Sequence, residues 1–143
     1  MKILDVNLLL YAVNTASPRH ARAKAWLDEA LSSTETVALP WVVILGFLRL
    51  STSPRVLTRP LATELAVGIV DAMSSRPNVE LIDPGPDHWA VLRGLLGESG
   101  TGGNLTTDAH LAALAIESGA TLCSSDADFG RFRQLRWENP LRG

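Results

Sequence analysis

The chain has 143 residues, of which 46% are apolar, and a formal net charge of −2 at pH 7. This length predicts one domain, residues 1–143, and the charge excludes a bulk basic surface for nucleic acid. The longest mostly apolar stretch, 37–48, is too short to span a bilayer, so we expect no membrane association. Asp5 interrupts the first apolar run, so we expect no signal peptide. Cys123 is the lone cysteine and lies in an apolar run, so we expect a buried structural thiol and a cytoplasmic location.

In chain order, the first half of the sequence alternates short apolar segments with helical ones. We predict strands over 2–4 and 37–39, and helices over 6–13, 18–31, 40–50 and 60–74. Ser17 followed by Pro18 is typical of a helix cap and first position, and Pro40 and Pro60 are predicted to open the next two helices.

The second half continues the alternation. We predict a strand over 79–82, a helix over 87–96, a mobile glycine-rich loop over 97–104, a helix over 105–118, a strand over 121–123, a helical turn over 129–132 and a fifth strand over 135–137. Strands that alternate with helices predict an α/β fold, in which a short central parallel sheet of four to five strands is flanked by helices.

Three aspartates lie where a predicted strand ends or a predicted helix begins. Asp5 follows the first strand, Asp108 lies at the start of the helix before the fourth strand, and Asp126 follows that strand. The carboxyl ends of parallel strands share one edge of the sheet, where ligands bind in open α/β folds. Carboxylates gathered there repel one another unless a cation lies between them, so the spacing favours a hard divalent metal.

Each aspartate also has a purely structural explanation. Asp5 would cap the helix that begins at Val6, and Asp108 would be a first-turn acid favoured by the helix dipole. Asp126 and Asp128 would build an Asx-turn. Independent capping does not predict that all of these acids fall on one edge of the sheet, so their joint placement favours a functional site.

Other chemistries for this edge lack the residues they require. Receiver domains and aspartyl-phosphate phosphatases need a lysine near the late strands, and no lysine follows Lys24. Neither a Walker A motif nor a Gly-x-Gly-x-x-Gly motif is present. The three histidines do not have paired metal-ligand spacing, and we interpret His110 as a helix-surface residue or a substrate contact.

The arginines are distributed unevenly. Eleven of the thirteen basic residues are arginines, and four of them lie between Arg131 and Arg142. A second group, Arg49, Arg55 and Arg59, ends or follows the third predicted helix. Arginine binds phosphate through a planar fork, so these groups would hold an RNA backbone; the alternative is a solvated surface.

Taken together, these segments resemble a PIN domain, and more narrowly the VapC toxins of bacterial toxin–antitoxin pairs. The resemblance covers essentially the whole chain and rests on 5–7, on 103–115 with its Gly-Asn-Leu-Thr-Thr-Asp start, and on 125–129, and it extends to 40–50. It implies a ribonuclease that uses Mg²⁺, or Mn²⁺, to cut structured RNA such as tRNA or rRNA.

The resemblance also implies roles for individual residues. The metal ligands would be Asp5, Asp108 and Asp126, with Asp128 as a further catalytic acid. Asn7 matches the polar position two residues after the first acid, and with the arginine groups this predicts substrate contacts at Asn7, Arg49, Arg131 and Arg133.

One position departs from the family pattern. The third helix usually carries a glutamate about where Gly46 lies, and this absence puts a two-metal mechanism in doubt. One-metal chemistry stays open, because Mg²⁺ commonly uses one or two carboxylates together with waters and substrate phosphate. The alternative is a catalytically degenerate PIN-like module that binds RNA or a protein partner without cleaving it.

The resemblance further implies a VapB-type antitoxin as partner and a homodimer or a toxin–antitoxin hetero-oligomer. The third predicted helix supports an interface, because it has more large apolar side chains than one helical face buries: Trp41, Val42, Leu45, Phe47 and Leu48. The alternative is a central helix that is buried on all sides.

Overall fold

A computed structural model describes residues 1–100, 103 and 105–142, and in these residues five parallel strands form one sheet. The strands are β1 (Lys2–Leu4), β2 (Val37–Pro40), β3 (Val79–Ile82), β4 (Thr121–Cys123) and β5 (Trp137–Glu138). Their order across the sheet is β3-β2-β1-β4-β5, and each neighbouring pair is parallel. The predicted α/β fold with a parallel sheet is therefore confirmed.

The helices lie between the strands in the sequence. They are α1 (Val6–Val13), α2 (His20–Ser32), α3 (Trp41–Ser51), α4 (Thr63–Ser74), α5 (His88–Ser99) and α6 (Leu105–Ser118), with a 3₁₀ turn over Ala127–Arg131. The chain steps from β1 to β2 to β3 in one direction and then returns past β1 to β4. Because such crossovers are right-handed, α1–α4 lie on one face of the sheet and α5 and α6 on the other. No described helix is long and apolar enough to cross a membrane.

Two helices begin later than predicted. The helix predicted from Pro18 begins at His20, because the Ser17 hydroxyl accepts a hydrogen bond from the Arg19 amide (3.1 Å) and holds a turn before the helix. The helix predicted from Pro60 begins at Thr63. Here the Leu61 amide donates to the Ser51 carbonyl at 2.8 Å, which ties the preceding segment to α3.

Other boundaries also differ from the prediction: β5 begins two residues late, at Trp137, and the 3₁₀ turn begins two residues early, at Ala127. Pro40 has extended backbone angles and ends β2 instead of opening α3. Helix α5 continues to Ser99, three residues into the predicted loop, and stops where Gly100 adopts a left-handed conformation with φ of 64°. The predicted mobility of that loop falls partly on Thr101, Gly102 and Asn104, which lie outside the described residues.

The core lies around the three central strands. Every residue of β2 is buried, whereas the edge strand β3 has none that is fully buried. Helix α6 buries an alanine-rich face at residues 109 and 111–115, which allows it to pack closely on the sheet. Cys123 is buried in β4 and burial raises the pKa of its thiol to about 12, so the predicted structural thiol is confirmed.

Candidate functional site

The acidic residues meet where β1 and β4 lie side by side. Leu4 pairs with Cys123, so the residues that follow these two strands leave the sheet together. The chain turns from β1 toward β2 and from β4 toward β5, which makes this position a topological switch point of the sheet. Helix α6 leads into β4, so its first turn, with Asp108, also lies at this edge.

Three of the acids form a compact cluster. Carboxylate oxygens of Asp108, Asp126 and Asp128 all lie within 4.8 Å of one another. The pKa of Asp108 is raised to about 6, first by burial and then by the negative charges of Asp126, Asp5 and Asp128, against a smaller opposing effect of Arg131. The four carboxylates therefore act on one another electrostatically, as the sequence predicted from their joint placement.

Asp5 lies beside this cluster and is only 7% exposed. One carboxylate oxygen accepts a hydrogen bond from the Val6 amide (2.7 Å), and the other accepts from the Ser124 hydroxyl (2.7 Å) and the Asn7 amide group (3.2 Å). Burial raises the pKa of Asp5, and these hydrogen bonds only partly counter it, while the charge of Asp126 adds to the increase. Asp5 thus caps α1 and belongs to the acidic site at the same time.

Ser124 connects the two sides of the site and was missed by the sequence reasoning. Its fully buried hydroxyl donates to Asp5 and accepts from the Asn7 amide group (3.1 Å) and the Asp126 backbone amide (3.0 Å). The available signal was a serine directly after a buried strand and two residues before an acid. Its contacts make Ser124 a positioning residue for both Asp5 and Asp126.

Asn7 is engaged at both ends of its side chain. Its amide nitrogen donates to Asp5 and Ser124, and its oxygen accepts from the Ser125 amide at 3.3 Å. The side chain therefore bridges the ends of β1 and β4. Its predicted contact with substrate stays a prediction.

The segment after β4 also contains the expected turn. The Asp128 amide donates to the Asp126 carboxylate at 2.9 Å, so these two acids do form an Asx-turn as well as part of the cluster. The Arg131 guanidinium lies 3.5 Å from the Asp128 carboxylate and donates to the Asp128 carbonyl. Arg131 is thereby held at the border of the acidic cluster, and Arg133 lies exposed beyond it.

Arg49 is not brought to this site. It lies in the last turn of α3, and α3 starts at the carboxyl end of β2 and runs away from that edge. Eight residues of helical rise place Arg49 about 12 Å along the axis from the start of α3. Gly46 lies closer, and a Cβ built on it would be 3.5 Å from the side chain of Val6, the residue after Asp5.

His110 is half-buried and contacts a second histidine, so it is not a free helix-surface residue, while its alternative role as a substrate contact stays a prediction. Its Nδ1 is 2.9 Å from Nε2 of His88, and the other ring nitrogen of His88 is 3.2 Å from Glu117. Burial, and then the neighbouring His88, lower the pKa of His110. These side chains join α5 to α6, and the pairing was not visible in the sequence because 22 residues separate the two histidines.

The donor set of the cluster fits a hard divalent cation. The available ligand atoms are carboxylate oxygens, which suit Mg²⁺ and Mn²⁺ better than softer metals. Like charges at this distance oppose each other's ionisation, as the raised pKa of Asp108 indicates, and a bound cation would offset that repulsion. The compact group contains Asp128 in place of Asp5, so Asp128 is as well placed for a ligand as the predicted residues.

Comparison with known proteins assigns the family. A family model for the PIN domain matches residues 2–135. The chain is 47% identical over 142 residues to the protein named ribonuclease VapC33 of Mycobacterium tuberculosis, with 99% of each chain covered.

Solved structures agree in fold at low sequence identity. VapBC2 from Rickettsia felis, bound to a DNA fragment from its promoter, has a TM-score of 0.70 and 23% identity, covering 96% of this chain and 97% of that one. VapC20 of Mycobacterium tuberculosis, described as a sarcin-ricin loop cleaving toxin, has a TM-score of 0.68 and 18% identity, covering 95% and 99%. The 47% identity to VapC33 along nearly the full length, and the match of the PIN family model to residues 2–135, mean that this chain belongs to the PIN domain family, among the VapC ribonucleases.

Proposed function

We propose that this chain is a metal-dependent endoribonuclease and the toxin of a VapBC-type toxin–antitoxin pair, with residues 1–143 forming one PIN domain. The observation that carries the proposal is the group of carboxylates at the switch point between β1 and β4. Asp108, Asp126 and Asp128 lie within 4.8 Å of one another, and Asp5 is held beside them by Ser124. The similarity to proteins named as ribonucleases supports it.

Asp5, Asp108 and Asp126 are proposed as the metal ligands, and Asp128 is available at the same cluster. When bound, Mg²⁺ or Mn²⁺ supplies Lewis-acid chemistry, namely a lower pKa for bound water and neutralisation of charge on a phosphate. The hydrogen bonds of Ser124 and Asn7 hold Asp5 in a fixed orientation, so little reorganisation of this carboxylate is required when substrate arrives.

Asp128 is proposed to orient the attacking water. It is the exposed member of the cluster and is steadied by Arg131, so one of its oxygens can accept a hydrogen bond from a water at the phosphate. Attack by water on phosphorus with departure of the 3′ oxygen leaves a 5′-phosphate and a 3′-hydroxyl.

Arg131 and Arg133 are proposed to hold the RNA backbone near the acids, and Arg49 to contact a more distant part of the strand. We propose structured RNA such as tRNA or rRNA as the substrate class, because protein side chains reach bases in loops and bulges and not within the deep groove of an RNA helix. The description of VapC20 as cleaving the sarcin-ricin loop is in keeping with such a target.

A VapB-type antitoxin and a second copy of the chain are the proposed partners, in the cytoplasm. Structures of VapBC complexes with this fold support the first. The exposed apolar side chains of α3 support an interface, since Trp41 is 48% exposed and Leu45 is 61% exposed on a helix whose other face packs in the core.

A second candidate function rests on Gly46. If the missing carboxylate on α3 is required for catalysis, the chain would be a PIN-like module that binds RNA or a protein partner without cutting. The four acids at the switch point favour the nuclease, because a binding module would not need several carboxylates that repel both one another and RNA.

The test uses purified chain without antitoxin, incubated with tRNA and rRNA in Mg²⁺. We expect a few discrete fragments, complete inhibition by EDTA, loss of cleavage in Asp108→Asn, and unchanged cleavage in Asp71→Asn, which removes an exposed acid of α4. Expression of the active chain should stop growth. Tight, salt-sensitive RNA binding without any metal-dependent cut would instead identify the binding module.

A further inference from the structure

A cavity lies next to the acidic cluster, between the end of α5 and the segment after the 3₁₀ turn. Its volume is about 370 Å³, and it is lined by Leu95, Glu98, Ser99, Arg131, Phe132 and Arg133. Leu95 and Phe132 are buried and form an apolar floor, whereas Glu98 and the two arginines are exposed at its rim. The volume is at the lower end of the range for small-ligand pockets.

The charged side chains of Glu98 and Arg133 at the rim do not form an ion pair with each other. Within residues 1–100, 103 and 105–142, neither Glu98 nor Arg133 makes an ion pair or a side-chain hydrogen bond. An acid and a guanidinium in one cavity that do not neutralise each other suit a ligand with hydrogen-bond donors on one side and acceptors on the other.

The position of the cavity relates it to the reaction. Arg131 lines the cavity and its guanidinium lies 3.5 Å from the carboxylate of Asp128. A group in the cavity therefore lies next to the acids proposed to act on the scissile phosphate. An RNA strand that passes over the acids would place a neighbouring base at this opening.

We infer that this cavity is a guanine subsite, which binds an unpaired guanine beside the cleaved bond. The inference rests on the proposed ribonuclease function. Guanine offers adjacent N1–H and N2–H donors to the Glu98 carboxylate, and its O6 and N7 accept from the Arg133 guanidinium. Its ring would lie against the apolar floor at Phe132, as unstacked bases do in single-stranded RNA complexes. Adenine and uracil lack the paired donors, so Glu98 would select against them.

The first test measures binding, so that it does not depend on cleavage. The Asp108→Asn chain is titrated with short oligouridines that carry one central guanine, inosine, adenine or cytosine, and anisotropy gives each Kd. We expect guanine to bind on the order of tenfold more tightly than adenine, and inosine, which lacks the 2-amino group, to fall between them. Adding Glu98→Ala should remove the difference between guanine and inosine, and Arg133→Ala should reduce the preference for both over adenine.

Matched controls separate base selection from general electrostatics. Glu29→Ala and Arg76→Ala make the same charge changes at exposed positions in α2 and in the turn after α4, and they should leave the ratio of guanine to adenine Kd unchanged. A change that only alters phosphate attraction moves all four affinities together. The ratio is therefore the quantity that a merely structural or charge effect would not move.

A second test uses the active chain on RNA of random sequence and maps the cut sites. We expect guanine to be enriched at one fixed position next to the cut, and Glu98→Ala to lose that enrichment while still cutting. Cleavage with no guanine dependence would overturn the subsite and leave the nuclease intact. Guanine-selective binding that depends on Glu98, in a chain that never cuts, would retain the subsite and refute the nuclease.

Discussion

Removing the charge of Asp108 should stabilise the metal-free protein. A pKa of about 6, compared with an ordinary 3.8, corresponds to about 3 kcal/mol of unfavourable free energy for the charged form at full strength. Because solvent reaches part of this carboxylate, we expect only about half of that to be realised. Asp108→Asn also loses the favourable interaction of an acid with the first turn of α6, about 0.5 kcal/mol. The net gain should be about 1 kcal/mol, or a rise in Tm of about 2–4 °C.

The size of this effect depends on pH. Because the pKa of Asp108 is raised in the folded chain, the folded state binds the proton more tightly than the unfolded chain between pH 3.8 and about 6. The destabilisation by the charged carboxylate is therefore absent below pH 3.8, grows through that window, and is complete above pH 6. The advantage of Asp108→Asn should be present at about pH 7.5 and nearly gone at about pH 4.

The assay is urea unfolding of both chains in EDTA at the two pH values, with Asp71→Asn as the control for removing an exposed acid. Titration with Mg²⁺ then reverses the order, because a cation bound at a hundred times its Kd stabilises the wild-type chain by about 2.7 kcal/mol and the variant by less. No gain in stability for Asp108→Asn in EDTA near neutral pH, or a gain that persists unchanged in acid, would contradict this prediction.

Four further predictions concern other parts of the molecule. Ser124→Ala should lower the free energy of unfolding by about 2 kcal/mol in urea titrations, because the Asp126 amide loses its acceptor and Asp5 and Asn7 each lose one hydrogen bond, whereas Ser124→Thr should restore most of it. Glu117→Ala should speed amide exchange at Gly85, whose N–H donates to that carboxylate at 2.9 Å; unchanged protection would contradict this. Leu45→Glu should turn a homodimer into monomers in sedimentation runs without altering the circular dichroism spectrum. In calorimetric titrations Gly46→Glu should raise the number of Mg²⁺ ions bound per chain from one to two. Gly46→Ala should leave the number at one, and it should fold normally because a Cβ at this position makes only an ordinary contact. Two Mg²⁺ sites in the unaltered chain would refute this prediction.

The elements whose bounds were predicted correctly are those with local signals. Strands β1, β3 and β4 are short, mostly apolar segments next to polar or turn residues, and α6 is ended by Gly119, which has the left-handed φ of 66° that such an ending favours. The start of α4 was not predictable in this way. It depends on a hydrogen bond from the Leu61 amide to α3, and no local pattern near Pro60 encodes that contact.

The residues of the candidate site likewise fall into those that local sequence signals predict and those that they do not. The acids could be predicted because each lies at a strand end or a helix start, and the parallel topology then brings them together. The roles of Ser124 and of the His88–His110 pair could not be predicted, because they depend on contacts between distant positions. Ser124 is 119 positions from Asp5 in the chain, and the two histidines are 22 positions apart. A buried hydroxyl or a pair of imidazoles has no sequence period of its own, so only the folded chain identifies its partners.

The environment of Asp5 indicates that its charge serves more than the start of α1. A helix cap needs one side-chain oxygen, and serine or asparagine would provide it without the cost of burying a charge. Asp5 is 7% exposed, and its second oxygen accepts hydrogen bonds from Ser124 and Asn7, neither of which a cap requires. Burial and the charge of Asp126 both raise the pKa of Asp5, so the site opposes the ionised form that these donors support. A bound cation would offset the repulsion between Asp5 and the neighbouring carboxylates, and this is the role proposed here for the divalent metal.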